Sequence, residues 1–494
     1  MTFSSVPFMF YFLPIVFILY YIFFFSLPIK NFILLIFSLI FYTWGEPKYI
    51  FLLMLSILVN YLFGLGIDLL KTKKKLALSI VVLSLIFNLG ILFVFKYLTF
   101  ISSNLNIATQ GKIEIINIAL PIGISFFTFQ AISYVIDIYR QDVAAQKNIL
   151  KFALYLSFFP KLIQGPITKY KDFAPQIENR TETWQKFSSG SCLFITGLGK
   201  KVLLANNMAV VTDRIFEIQK MGNIPVSLAW LGALAYTFQI YFDFSGYSDM
   251  AIGLGLMFGF KIERNFNYPY ISKSIREFWG RWHMSLGRWF KDYLYIPLGG
   301  SRVLNKDLII RNLAVVWMAT GIWHGANWTF LFWGILNFVF IAAERIFEFE
   351  NSKLPNAIKH AYAMFVIIIG WVIFRSDSLQ QAGNYLVSMF NFPQNGFLSD
   401  YTYMFIKEYG IFFLFAILFS MPIAGKINQL MAKGIVLRRQ VSKSQPDQER
   451  VLYGEAPFTK LITFLYPIAM ILLFLVCTTY IVKGSYNPFI YFQF

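Results

Sequence analysis

Apolar residues fill most of this chain in long blocks, and polar residues gather in the gaps between them. The blocks run near 7–28, 31–44, 49–67, 76–98, 115–139, 226–241, 312–348, 361–375, 411–423 and 461–483. A helix of about 20 apolar residues crosses a hydrocarbon layer about 30 Å thick. The block at 312–348 is long enough for nearly two crossings. Weaker blocks near 149–163, 189–204 and 248–260 bring the expectation to roughly 11–13 membrane helices, some partial or re-entrant. The first block has no positive leader and no small-residue cleavage pattern, so it reads as a retained span. The pattern predicts an all-α, polytopic integral membrane protein. Residues 1–494 read as one membrane domain, because no linker divides them and no transporter-like repeat is visible.

Charge orients the blocks. Lys30, then Lys71, Lys73, Lys74 and Lys75, then Arg140 and Lys147 follow alternate spans. The loops near 45–48 and 99–114 are poor in Lys and Arg. This places the N-terminus outside and the Lys-rich loops in the cytoplasm. The polar stretch 426–460 reads as a further cytoplasmic loop. The segment 149–163 is short, with basic residues on both sides, and predicts a re-entrant element beside an internal cavity.

Composition agrees. The chain is 57% hydrophobic and 14% charged, where a soluble chain carries about 25% charged residues. The net charge of +18 fits Lys and Arg held on one membrane face, and no basic tract is long enough for a nucleic-acid partner. Cys192 and Cys477 lie far apart in apolar contexts, so neither a disulfide framework nor a zinc site is expected. The three histidines, His283, His324 and His360, are too scattered for a metal site.

His324 stands out within the uncharged run from Val315 to Leu331. If Arg311 marks the membrane boundary and the run is helical, His324 lies roughly 20 Å inside the hydrocarbon layer. A titratable ring there needs a cavity or a partner, and imidazole is the usual group for moving protons near neutral pH. The alternative is a hydrogen-bonded packing histidine. Residues 261–302 are the polar counterpart. Trp279, Trp282, Leu286, Trp289 and Tyr293 recur at helical spacing, with Arg281, Arg288 and Lys291 on the other face. This predicts an amphipathic interfacial helix with His283 at the edge of its apolar stripe. Its basic residues either anchor the helix or attract a phosphate-bearing acyl carrier or coenzyme. Asp243 and Asp249 are buried-looking polar groups, either helix–helix glue or an orienting shell for a histidine. Gly253, Gly255 and Gly259 suit close helix packing better than a dinucleotide loop.

Together these motifs resemble membrane-bound O-acyltransferases, specifically the bacterial branch of alginate O-acetyltransferases. The resemblance rests on S-I-R-E-F-W-G-R-W-H-M-S-L-G-R-W-F-K-D-Y-L-Y-I-P-L-G-G-S-R at 274–302 and T-G-I-W-H-G-A-N-W-T-F-L-F-W-G at 320–334. The stretches at 120–140, 159–167, 241–253 and 486–494 also match. The resemblance implies helices around a central funnel, with His324 as catalytic residue and His283 as a second functional position. It implies acyl transfer, most simply of acetyl, from a cytoplasmic thioester to a hydroxyl. The donor is acetyl-CoA or another acyl thioester, free or on an acyl carrier protein, with no bound cofactor or metal. His324 takes the hydroxyl proton. Trp323, Asn327 and Trp328 shape the site, with Asn327 as an oxyanion donor and Gly321 and Gly325 leaving room for ligand. Arg276, Arg281 and Arg288 draw the donor to the cytoplasmic mouth. The acceptor is an extracytoplasmic polysaccharide, reached through a partner acetyltransferase outside a bacterial cytoplasmic (inner) membrane. Peptidoglycan O-acetylation and D-alanyl transfer to teichoic acid are the sister readings, and a transporter or flippase is the non-enzymatic one.

Overall fold

The structure is a computed structural model that describes residues 1–301, 305–392, 396–423, 457–484 and 486–488, with backbone alone at 457–463. Most of the predicted 426–460 loop and Arg302 lie outside the described residues. All regular elements among the described residues are helices. Helices close their own backbone hydrogen bonds, which hydrocarbon cannot do for them. Seven are long and apolar enough to cross a membrane: Leu27–Gly45, Ile50–Leu69, Lys74–Ala108, Trp328–Ile346, Asn356–Arg375, Asp400–Phe419 and Phe464–Val482. Phe8–Ile22 and Ile124–Tyr139 are shorter apolar helices. Cys192 and Cys477 are free thiols.

Other predicted blocks fold differently from simple spans. The blocks at 226–241 and 248–260 join in one helix, Val226–Met257, with the Tyr241–Met250 motif in its middle. Most of its side chains are buried on all sides, which is why its pattern shows no stripe. It packs closely on the helix Trp184–Gly199 through facing glycines. A Cβ on Gly253 would lie 2.5 Å from the Gly190 carbonyl oxygen, and one on Gly246 would lie 2.8 Å from that of Gly197. Two ion pairs continue the contact, the first buried and the second partly buried. Lys201 meets Asp243 at 2.5 Å, and Lys200 meets Asp249 at 2.6 Å.

The 149–163 segment is a broken pair of short helices, Ile149–Ser157 and Phe159–Leu162. At nine residues the first is about 13 Å long, too short to span. Its break is covered by protein, where Ser38 Oγ accepts the Phe159 N–H at 3.0 Å. The long 312–348 block is a helical hairpin, Lys306–His324 and Trp328–Ile346. Gly325 is extended between them, and the Asn327 side chain caps the second helix by accepting the Thr329 N–H. His324 therefore ends a helix; the run around it is not continuous.

The basic aromatic segment also departs from expectation. It is two short helices, Ile275–Arg281 and Met284–Phe290, broken at Trp282 and His283. Its aromatic residues are packed inside the protein and do not lie at headgroup depth. Trp289 stacks on Phe129 at 3.8 Å, and the Tyr293 hydroxyl donates to Asp137 at 2.7 Å. The helical stripe was real, but protein, not lipid, covers it.

The glycine contact gives a test. Gly253→Val would force the two helices apart, at about 1–3 kcal/mol. Its melting temperature in detergent should fall, while Gly90→Val, where nothing lies within 4 Å, should melt like the parent. Equal melting of the two variants would show that the contact is slack.

Candidate active site

Both singled-out histidines sit where a helix stops. His283 occupies the left-handed region, φ 44° and ψ 51°, between the two short helices. A non-glycine residue there costs about 1–3 kcal/mol and persists only when its surroundings hold it. Here the neighbouring Met284 N–H donates to the Asn265 carbonyl at 2.9 Å. The ring is held too: Nδ1 lies 3.2 Å from Asn265 Oδ1. Nε2 is buried and has no hydrogen-bond partner among the described residues.

His324 closes the helix Lys306–His324. Its ring sits in an aromatic box, with Trp323 and Trp333 at 5.0 Å and Phe374 at 5.3 Å between centroids. The end of any helix leaves carbonyls without partners. Lys96 supplies them here, donating to the Trp323 oxygen at 2.6 Å and the His324 oxygen at 2.9 Å. The adjacent Tyr97 hydroxyl donates to the Ile322 carbonyl. A cation at a helix C-terminus is also favoured by the helix dipole.

The two histidines come from separate elements, 41 positions apart in sequence, yet border one cavity of about 170 Å³. Its walls are largely aromatic, including Trp279, Trp282 and Trp317, and its other polar lining includes Thr320, Lys291 and Tyr295. Two imidazoles facing a small, largely apolar space can accept, hold and return protons at a bound group.

Comparison with known proteins decides the class. Residues 39–375 match the model of the membrane-bound O-acyltransferase family. The chain belongs to that family. It is 45% identical to a probable alginate O-acetylase AlgI of Pseudomonas syringae pv. tomato, over 79% of this chain and 76% of the relative. It is 38% identical to a probable alginate O-acetylase AlgI of Azotobacter vinelandii, with both chains fully covered. It is 37% identical to a peptidoglycan O-acetyltransferase of Helicobacter pylori, over 79% of this chain and 80% of the relative. The protein is thus an O-acyltransferase and a multi-pass protein of the bacterial inner membrane, and the transporter reading falls.

The remaining expected site residues divide. Trp323 is buried between Phe126, Phe129 and His324, and its ring lies 6.1 Å from that of His283. Asn327 and Trp328 are turned elsewhere. The Asn327 amide donates to the Asp377 carbonyl at 2.8 Å while its oxygen caps a helix. Trp328 is 51% exposed and donates to Asn104. Gly321 and Gly325 make room for Phe330. A Cβ on Gly321 would meet the Phe330 carbonyl at 2.7 Å, and one on Gly325 would meet the Phe330 ring at 2.1 Å.

The three arginines are each matched by a carboxylate. Arg276 pairs with Glu350 at 3.3 Å, Arg281 with Glu277 at 2.9 Å, and Arg288 with Glu263. None of them borders the cavity; among the lining residues the cation is Lys291, for which no ion pair is formed among the described residues. Asp243 and Asp249 serve as helix glue through their lysines, as described above. His360 Nδ1 lies 3.0 Å from the Ser272 carbonyl.

Sequence reading missed two positions. Lys96 is a lone cation inside the apolar block 76–98, and an intramembrane charge is itself a signal. Asn265 carried no signal, because a polar residue in a loop is unremarkable until its partner is known.

Lys96→Met keeps the stem and removes the donors. Losing two hydrogen bonds to helix-end carbonyls should cost about 1–3 kcal/mol. The expected result is a lower melting temperature in detergent. Unchanged melting would show that the helix end does not depend on Lys96.

Proposed function

We propose that this enzyme transfers an acetyl group from a cytoplasmic thioester, acetyl-CoA or an acetylated carrier protein, to a hydroxyl on the route to an extracytoplasmic polysaccharide. The reading is carried by one observation: His283 and His324 border the same small cavity. The names of the relatives add to it, since they specify acetyl transfer to alginate and to peptidoglycan. The cavity, about 170 Å³, is below the roughly 300 Å³ at which drug-sized pockets begin. That suits a short acyl group.

In the proposed step the acceptor hydroxyl oxygen attacks the thioester carbonyl carbon. Its proton passes to His324 as the carbon–oxygen bond forms. The tetrahedral intermediate then expels the thiolate, the carbon–sulfur bond breaks, and the His324 imidazolium returns its proton to sulfur. The products are an ester and a free thiol. His283 contacts the reacting groups from the opposite element. Lys291, at the cavity, replaces the carboxylate-paired Arg276, Arg281 and Arg288 as the residue we assign to the donor's phosphates. Delivery to the polysaccharide is assigned to an acetyltransferase partner on the far side of the membrane.

Purified protein in detergent should release thiol from acetyl-CoA, and His324→Ala should slow release by about 10²–10⁴-fold while remaining monodisperse. A wild-type protein that cleaves no acetyl thioester, or a variant as fast as wild type, defeats the proposal. In cells, loss of the gene should lower the acetyl content of secreted polysaccharide; a loss confined to peptidoglycan would reassign the acceptor.

Lys291→Met should raise the donor KM about tenfold, the loss of one charged hydrogen bond, with a smaller effect on kcat. Arg281→Gln should leave the KM unchanged, because that guanidinium is already neutralised by Glu277. The opposite ranking would return the donor site to the arginines.

A further inference from the structure

We propose that Asn265 is a positioning residue. It fixes His283 in one tautomer, with hydrogen on Nδ1 and a bare lone pair on Nε2, so that His283 meets its ligand as a hydrogen-bond acceptor. The tautomer follows from geometry alone; its consequence for turnover rests on the acetyl-transfer reading above.

Which end of the Asn265 amide faces His283 decides the tautomer. Three groups converge on the amide oxygen. The Ser285 backbone N–H lies 3.1 Å away, Ser285 Oγ 2.9 Å and His283 Nδ1 3.2 Å. A backbone N–H can only donate. Flipping the amide would set N–H against N–H in a buried site, a cost of about 1–3 kcal/mol for each unsatisfied group. The far side agrees, since Asn265 Nδ2 donates to Ser248 Oγ at 3.2 Å. Ser285 Oγ is committed as well. It accepts the Ile167 N–H at 3.0 Å, which turns its own hydrogen toward Asn265. His283 Nδ1 therefore faces an acceptor, and a neutral ring must carry its hydrogen there.

That leaves Nε2 unprotonated. It is buried, finds no partner among the described residues, and belongs to a ring that borders the cavity. An unpaired buried acceptor is costly, and a ligand O–H or N–H relieves it. The assignment thus separates the two histidines: His283 arrives as an acceptor toward the bound group, while the His324 ring has no comparable hydrogen bond among the described residues. Asn265 also holds His283 in its left-handed conformation through its own carbonyl, which accepts from Met284. That backbone bond survives any change of the Asn265 side chain, so the two roles can be tested apart.

The chain has only three histidines, which makes the tautomer directly measurable. Protein labelled with ¹⁵N-histidine, in detergent or lipid, should show a protonated Nδ1 and a pyridine-type Nε2 for His283, assigned by loss of the signals in His283→Gln. Hydrogen on Nε2, or an imidazolium, overturns the proposal, and this needs neither a variant at 265 nor activity. Asn265→Leu should lose the single-tautomer signal. Its kcat should fall about 10–100-fold, as when an outer hydrogen-bond partner of a functional histidine is removed, with the acetyl-CoA KM unchanged. Asn265→Asp keeps an acceptor oxygen and should keep hydrogen on Nδ1. If Asn265→Leu retains both the tautomer and kcat, Asn265 is not the positioning group. If the wild type shows the expected tautomer but cleaves no thioester, the acetyl-transfer reading fails and the tautomer assignment stands.

Discussion

A helix that stops inside an apolar protein leaves carbonyls that water cannot reach. In this enzyme that constraint falls at the end of the helix Lys306–His324, and it is met by Lys96 and Tyr97 from the helix Lys74–Ala108. The bonds join two elements more than 200 positions apart. They allow the chain to turn back at Gly325, and they set the depth at which the His324 ring enters the cavity. An uninterrupted span would have needed no such partners, but it would have packed His324 along its side with no reason to meet His283.

The opposite wall obeys the same rule by other means. The segment carrying His283 is broken rather than capped, and Asn265 gathers its loose donors. Around both breaks lies a rigid frame. Val226–Met257 is locked to Trp184–Gly199 by facing glycines and to the following lysines by two ion pairs. The buried one, Lys201 with Asp243, contributes little net stability, because desolvation offsets much of the attraction. Its effect here is on register: Lys201 has one buried carboxylate at 2.5 Å, and a slide of one helical turn would part them.

Along 261–302 the reach of the positive charge depends on pairing. A row of arginines in a membrane protein attracts anions only as far as it is unneutralised. Arg276, Arg281 and Arg288 each meet a glutamate: Glu350 from a distant helical turn, Glu277 from the same helix and Glu263 from the preceding loop. The residue left beside the cavity is Lys291, which the helical stripe had grouped with them.

The all-helical membrane architecture is legible in the sequence, because long apolar blocks have no other way to satisfy their backbones in hydrocarbon. The sequence also singled out His324 and His283, since a titratable ring in an apolar context and a histidine among interleaved tryptophans are visible without coordinates. Close glycine packing at Gly253 was legible for the same reason: a small residue in a dense apolar helix signals a near neighbour. Tertiary structure alone decided where helices break, because Gly325 and the Trp282–His283 junction are held by partners distant in sequence. It decided that Trp289 and Tyr293 face protein rather than lipid, since both environments are apolar and leave the same stripe. It turned Asn327 into a helix cap, and it gave Lys96 and Asn265 their places. Those two act through hydrogen bonds to groups that local sequence does not bring near. A one-dimensional pattern records which residues avoid water, but a hydrogen bond depends on which two of them meet.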